Sequence, residues 1–213
     1  SANGGSDLIN YYLSFGYADS QGLYSGIGKQ RLNYMGKLDA KLAKGLTLSV
    51  DYTGSNSNSK NSSYSTLTSI YEYSPLQVLR FTNGDLASID GSNPMIDING
   101  LGGYIKDKSK MSTITVNMNW EIPWVKGLSA YVRGTFDDNY SIESTFDKPV
   151  TLYNYDAAKD SYSEDANTVY PTAKVSLKED DSYFQSQLYE PGEHYNRTFP
   201  GKHYAEVTLV NNY

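Results

Sequence analysis

Residues 114–136 read ITVNMNWEIPWVKGLSAYVRGTF, and this stretch decides the fold. Ile114, Val116, Met118, Trp120 and Ile122 share one parity, with Thr115, Asn117, Asn119 and Glu121 on the other. After Pro123-Trp124-Val125-Lys126-Gly127 the alternation resumes. Leu128, Ala130, Val132, Gly134 and Phe136 stand against Ser129, Tyr131, Arg133, Thr135 and Asp137. A period of two puts successive side chains on opposite faces of an extended chain. The stretch therefore reads as two strands joined by a tight turn, each apolar on one face only.

The same pattern recurs on both sides. Ile9, Tyr11, Leu13, Phe15 and Tyr17 form one run; Leu32, Tyr34, Gly36, Leu38, Ala40 and Leu42 form a second; Leu46, Leu48, Val50, Tyr52 and Gly54 form a third. Ala205, Val207 and Leu209 close the series. Strands are expected at about 9–18, 30–43, 46–54, 111–122, 128–146 and 203–213, with two long polar loops at about 55–110 and 147–200. Thr66 to Arg80 has spacing compatible with a short helix ended by Pro75. Lys44-Gly45 and Lys126-Gly127 make similar short turns, whereas the other connections are longer. Strict alternation of short and long links predicts an all-β, antiparallel up-and-down meander of about six long strands, the ordinary order of an outer-membrane barrel.

The apolar parity of these strand cores carries no charge, while the other carries Arg31, Lys37, Asp39, Lys41, Asp51, Glu121, Arg133, Asp137 and Glu206. The inner face of a soluble sandwich would look the same. Three features point toward lipid instead. Each core alternates for about 9–13 residues, close to what a tilted membrane strand needs. Gly36, Gly54 and Gly134 sit on the apolar parity, where they would pack a protein core poorly. Tyr17, Tyr34 and Tyr52 lie toward the long loops, and Trp120 and Trp124 toward the short turns, like two interfacial girdles. Six strands are fewer than the roughly eight that close a membrane barrel, so an arc of a larger barrel is expected.

Composition narrows the functions. The 213 residues include 18 basic and 24 acidic ones, no cysteine, and 21 Tyr against 6 Phe. Without cysteine there is no disulfide scaffold, thiolate nucleophile or thiolate metal site. The net charge of -6 argues against a nucleic-acid partner. A hydrophobic content of 38% and a mean hydropathy of -0.56 contain no run long enough for a transmembrane helix.

Several segments together carry a family resemblance. Gly4-Gly5-Ser6-Asp7 followed by Asn10-Tyr11-Tyr12-Leu13-Ser14-Phe15-Gly16-Tyr17 and Gln21-Gly22-Leu23 resembles an opening barrel strand and its first loop. Arg31-Leu32-Asn33-Tyr34 and Leu38-Asp39-Ala40 fit the returning strand. Asn83-Gly84, Asn93-Pro94 and Gly103-Tyr104 fit the next extracellular region; Trp120-Glu121-Ile122-Pro123 through Leu128-Ser129 fit a periplasmic hairpin, followed by Pro149 to Tyr153. In this order they resemble the front half of the barrel in SusC/RagA-like TonB-dependent outer-membrane transporters of Bacteroidetes-type bacteria. The resemblance implies that residues 1–213 are part of a barrel of about 22 strands. It also implies a cell outer membrane location, a SusD-like surface lipoprotein as partner, and energy from TonB-ExbB-ExbD through a plug and TonB-binding segment that these residues do not include. The cargo would be oligosaccharides or peptides, and the apolar face would meet outer-membrane lipid. The alternative expectation is a soluble or surface-exposed β-domain that binds glycan or mediates adhesion.

No enzyme constellation stands out, and no catalytic, cofactor or metal residue is nominated. His194 and His203 are the only histidines, without metal-ligand spacing. Asp137-Asp138 and Glu179-Asp180-Asp181 read as solvated loop or lumen wall. Tyr64, Tyr71, Tyr73, Tyr104, Tyr153, Tyr155, Tyr162 and Tyr170 fall in the long loops. A tyrosine can stack on a sugar while its hydroxyl bonds, so Tyr71, Tyr73, Tyr104, Tyr153 and Tyr155 are the candidate contacts to substrate or partner.

Overall fold

The computed structural model describes residues 1–23, 26–62, 71, 73–166, 174–201 and 203–213. Its main element is one open antiparallel sheet of eight strands, in which every strand pairs with the next one along the chain except where a small hairpin intervenes. The strands are β1 (Ala2–Gly5), β2 (Ile9–Gln21), β3 (Gly28–Ala43), β4 (Leu46–Asn61), β5 (Gly103–Glu121), β6 (Leu128–Asp147), β9 (Ser176–Phe199) and β10 (His203–Val210). The hairpin, β7 (Tyr153–Asp156) and β8 (Ser161–Glu164), forms a second sheet of its own. Helix α1 covers Pro94–Ile98, and Tyr71, within the expected helix at 66–80, is also helical.

The expected meander is present, with eight strands in the sheet instead of six. The main correction is at 147–200, where a loop was expected: Ser176–Phe199 is the longest strand, 24 residues, paired with β6 from Asp147↔Ser176 to Leu128↔Tyr195. Its sequence hides it because neither parity is apolar throughout, and because Pro191-Gly192 interrupts it. The register absorbs that proline: Pro191 O accepts from Asn211 N at 3.1 Å, so the missing donor costs one rung toward the last strand. The expected loop at 55–110 is shorter for a similar reason, since 55–61 and 103–110 are polar on both parities yet belong to β4 and β5. Much of the helix expected at 66–80, including Leu67 and Ile70, lies outside the described residues, as do Tyr64 and Tyr170; 73–80 is turn and coil.

Connections 6–8, 44–45 and 122–127 share one end of the sheet, and 22–27 and the two long connections, 62–102 and 148–175, share the other. The two Lys-Gly turns are built alike. Gly45 and Gly127 both have left-handed backbones (φ 78 and 90), and the carbonyl of each accepts from the following strand: Glu121 N at 2.7 Å and Asn196 N at 2.8 Å. Positive φ favours glycine, and a Cβ at Gly127 would lie 2.9 Å from the Asn196 carbonyl carbon.

The register aligns the apolar parities into one band. Ile9, Ala40, Leu48, Met118 and Val132 line up across five strands, as do Leu13, Gly36, Tyr52, Ile114 and Phe136. This band is bare: Leu13 is 44% exposed, Leu38 39% and Val132 51%. The buried hydrophobic residues, Leu86, Ala87, Ile96 and Leu152, all lie in the long connections and none in the sheet. The chain exposes 14297 Å², against about 9,800 Å² expected for a compact monomer of this mass.

Candidate functional site

Two surfaces carry organised polar or aromatic chemistry: the polar face of the sheet and the unit formed by the long connections. The polar face holds two cross-strand rows. One runs Tyr12, Lys37, Asp51, Thr115, Thr135; the next runs Asn10, Asp39, Ser49, Asn117, Arg133, Glu190. Lys37 Nζ lies 3.4 Å from Asp51 and Arg133 3.5 Å from Glu190, while Ser49 Oγ donates to Asp39 at 2.6 Å and Thr113 Oγ1 to Asp137 at 2.6 Å. Charges alternate along the rows, so the face is hydrophilic without a dominant sign. A groove of about 380 Å³ lies between Lys37, Asp51, Asn117 and Arg133.

The loop unit owes its shape to Asn93. It is the N-cap of α1 and 1% exposed; Oδ1 accepts from Met95 N at 2.9 Å, and Nδ2 donates to Leu79 O at 2.7 Å and Ala87 O at 2.8 Å. Pro94 follows at the first helical position, where its lack of an N–H does no harm. Below this cap, Leu86, Ile96 and Leu152 pack with Met95, Leu101 and Val150. The two connections are stitched together by Ser88 N to Tyr153 O at 2.8 Å and Tyr153 N to Leu86 O at 2.9 Å.

The candidate tyrosines separate in this frame. Tyr155 joins Phe81 and Tyr162 in an aromatic triangle, with centroids 5.1 Å apart for Phe81–Tyr162, 5.2 Å for Tyr155–Tyr162 and 6.3 Å for Phe81–Tyr155. Tyr155 is 45% exposed and Tyr162 38%. The Tyr155 hydroxyl donates to Asp160 Oδ1 at 2.8 Å, and that bond raises its pKa. Tyr153 acts mainly through its backbone. Tyr73 bonds Ser92 through its hydroxyl, Tyr71 is exposed, and Tyr104 lies on β5, with Lys106 Nζ 4.2 Å from its ring centroid and Phe146 5.3 Å away. The five thus do not converge on one site. Phe81 was missed, because an isolated Phe between Arg80 and Thr82 carries no periodic signal.

The other candidates resolve simply. Asp137 and Asp138 alternate faces, so they are no carboxylate pair; Asp137 accepts from Thr113. Glu179, Asp180 and Asp181 stand on β9, with Asp180 paired to Lys178. His194 Nδ1 lies 2.9 Å from Thr208 Oγ1 and His203 opens β10. Among the described residues no helix is long and apolar enough to cross a membrane, which says nothing about crossing by strands. No protein-family model matches the chain, and no curated protein matches it.

Proposed function

We propose that the chain is a stretch of the wall of an outer-membrane β-barrel, its apolar face against lipid and its polar face toward the lumen. Within that reading it is an arc of a SusC/RagA-like TonB-dependent transporter of about 22 strands, importing oligosaccharides or peptides with a SusD-like lipoprotein and driven by TonB-ExbB-ExbD. One observation carries it: an apolar band across the five strands β2–β6 lies bare, with no helix or second sheet among the described residues to cover it, and on β9 the same face turns mixed, Tyr189 and Pro191 standing beside Gln187 and Glu193. In water a bare patch of that size would aggregate, whereas hydrocarbon is its natural solvent. The band spans about nine residues per strand, what a tilted membrane strand needs. Polar rungs, short turns at one end and long connections at the other suit the same setting.

These 213 residues hold no cysteine, so a cysteine introduced among them reports on its own position once any elsewhere in the intact protein is replaced. Single cysteines are placed in the intact protein at Val132 and Met118 on the apolar face and at Thr135 and Ser49 on the polar face. In native membranes the first pair should resist a charged maleimide and react with a lipid-soluble one, and the second pair should do the reverse. Equal reaction of all four with the charged reagent would refute lipid contact. The second reading, a surface β-domain that binds glycan, is favoured by the exposed Phe81–Tyr155–Tyr162 triangle; it predicts that same equal reaction.

A further inference from the structure

The strands continue beyond the apolar band, and on the band's own face they become cationic. Above Gly54 and Ser112 that face runs through Asn56, Asn58 and Lys60 on β4 and Lys110, Lys108 and Lys106 on β5. Lys60 stands directly opposite Lys106, and both ammonium groups flank the Tyr104 ring, at 5.6 and 4.2 Å from its centroid. Like charges opposite one another on a sheet destabilise it. Among the described residues none of the four lysines forms an ion pair. The carboxylates on this face are Asp138 on β6, diagonal to Lys110 and hydrogen-bonded to Tyr183, Asp19 on β2, level with Lys108, and Asp181 and Glu179 on β9, two strands from β5 or about 10 Å at ~4.8 Å per strand. Glu179 is moreover occupied by Ser144 Oγ at 3.1 Å. A groove of about 730 Å³ opens beside the patch, lined by Lys29, Lys60, Lys106 and Lys108 against a single carboxylate, Asp19, with exposed Leu23 at its edge.

Down this face lysines come first, with Tyr140 and Tyr183 level with Lys110, then one polar row of Ser112, Asp138 and Gln185, then the aliphatic band. That is the order of anionic headgroups, interface and acyl chains met on entering a leaflet. We infer that the Lys60–Lys106–Lys108–Lys110 patch binds the phosphorylated sugar headgroup of a glycolipid in the outer leaflet. This rests on the membrane reading above. Phosphate relieves the Lys60–Lys106 repulsion, which no ion pair offsets among the described residues, and the continuity with the apolar band places a headgroup and its acyl chains on adjoining surfaces.

The intact protein and its Lys60→Gln/Lys106→Gln/Lys108→Gln/Lys110→Gln variant are reconstituted in phosphatidylcholine vesicles doped with bis-phosphorylated lipid A, fully dephosphorylated lipid A or phosphatidylglycerol. Lipid retained after detergent washing is counted by native mass spectrometry, and insertion is checked separately by flotation and protease protection. A lysine near an anionic surface contributes roughly five-fold in partition, so wild type should retain the bis-phosphorylated lipid at least ten-fold better than the variant. It should show no such advantage with the dephosphorylated lipid. Equal retention by inserted wild type and variant overturns the inference and leaves the membrane reading standing. Matching retention of phosphatidylglycerol at equal charge, or displacement by millimolar inorganic phosphate, also overturns it, in favour of unspecific charge or a free anion. Failure to insert refutes the membrane reading, and the inference with it.

Discussion

The ring of Tyr34 lies across Gly54, its cross-strand partner. A Cβ at Gly54 would sit 2.6 Å from the Tyr34 hydroxyl oxygen and closer still to the ring carbons. The neighbouring Tyr52 ring is 5.5 Å away. An aromatic side chain covering a strand glycine restores contacts that the glycine lacks, and Tyr131 over Gly192 repeats the device on the polar face. Gly54 on the apolar parity, puzzling for a packed core, is thus the floor beneath the Tyr34 ring.

Gly54→Val should therefore destabilise the protein by about 1–3 kcal/mol through overpacking. In a double-mutant cycle with Tyr34→Ala the two losses should be markedly sub-additive, since the double variant removes the clash. Urea denaturation of the four proteins measures it. Strict additivity would mean that the ring does not occupy that space.

The two Lys-Gly turns should differ in tolerance. An alanine at Gly45 would bring its Cβ 2.8 Å from the Glu121 carbonyl, and at Gly127 the approach to the Asn196 carbonyl is closer. Both also carry the strain of positive φ. Gly127→Ala should cost about 2–3 kcal/mol and Gly45→Ala about 1–2 kcal/mol, read from denaturation midpoints. The reverse order would contradict the geometry.

Asn93→Ala removes a helix cap and leaves the Leu79 and Ala87 carbonyls without a side-chain donor. It should cost the loop unit about 2–4 kcal/mol. Limited proteolysis should then cut within 73–102 and 148–166 while the sheet strands stay protected. Unchanged cleavage would show that the Leu86–Ile96–Leu152 cluster holds the connections together without the cap.

How far the sequence could be read follows from where the apolar band lies. Leu48, Val116 and Val132 announce their strands because one parity alone is apolar there. Ser57, Lys108 and Ser144 belong to the same strands but lie beyond the band, where both faces are polar, so periodicity disappears while the hydrogen-bonded register continues. On β9 the upper half lies beyond the band too, and 186–195, level with it, carry Gln187 and Glu193 on the band's face, so 176–199 reads as loop throughout. The loop unit was opaque for another reason. Asn93-Pro94 reads as a turn former, yet the pairing of Leu86 with Leu152 and of Phe81 with Tyr162 depends on two distant connections meeting, which no local pattern encodes.

The β7–β8 hairpin should have a two-sided pH dependence. The Lys159 ammonium, and then the Ala158 N–H, hold the Asp156 carboxyl below its ordinary 3.8. Its stabilisation is present above pH 3.8 and is lost as pH falls through the lowered value. The bond to Asp160 raises the Tyr155 phenol above 10.0, so that contribution is present below pH 10 and is lost as pH rises through the raised value. The amide resonance of Ala158 should shift at the acid end in wild type and not in Asp156→Asn, and Asp160→Asn should remove the alkaline change alone.

The proposed lipid contact predicts one large asymmetry. Val132 sits mid-band between Met118 and Pro191, while Thr135, three residues along the same strand, faces the polar rows between Arg133 and Asp137. An arginine on the lipid side of a barrel costs about 2–4 kcal/mol at the midplane, whereas a lumen site tolerates charge. Arg133 already shows that tolerance, paired with Glu190 one position from Val132. Val132→Arg should accordingly lower the unfolding free energy of the vesicle-inserted protein by about 2–4 kcal/mol, and Thr135→Arg by about 0–1 kcal/mol. A soluble surface would solvate both guanidinium groups alike, so equal losses at the two positions would sink the membrane assignment.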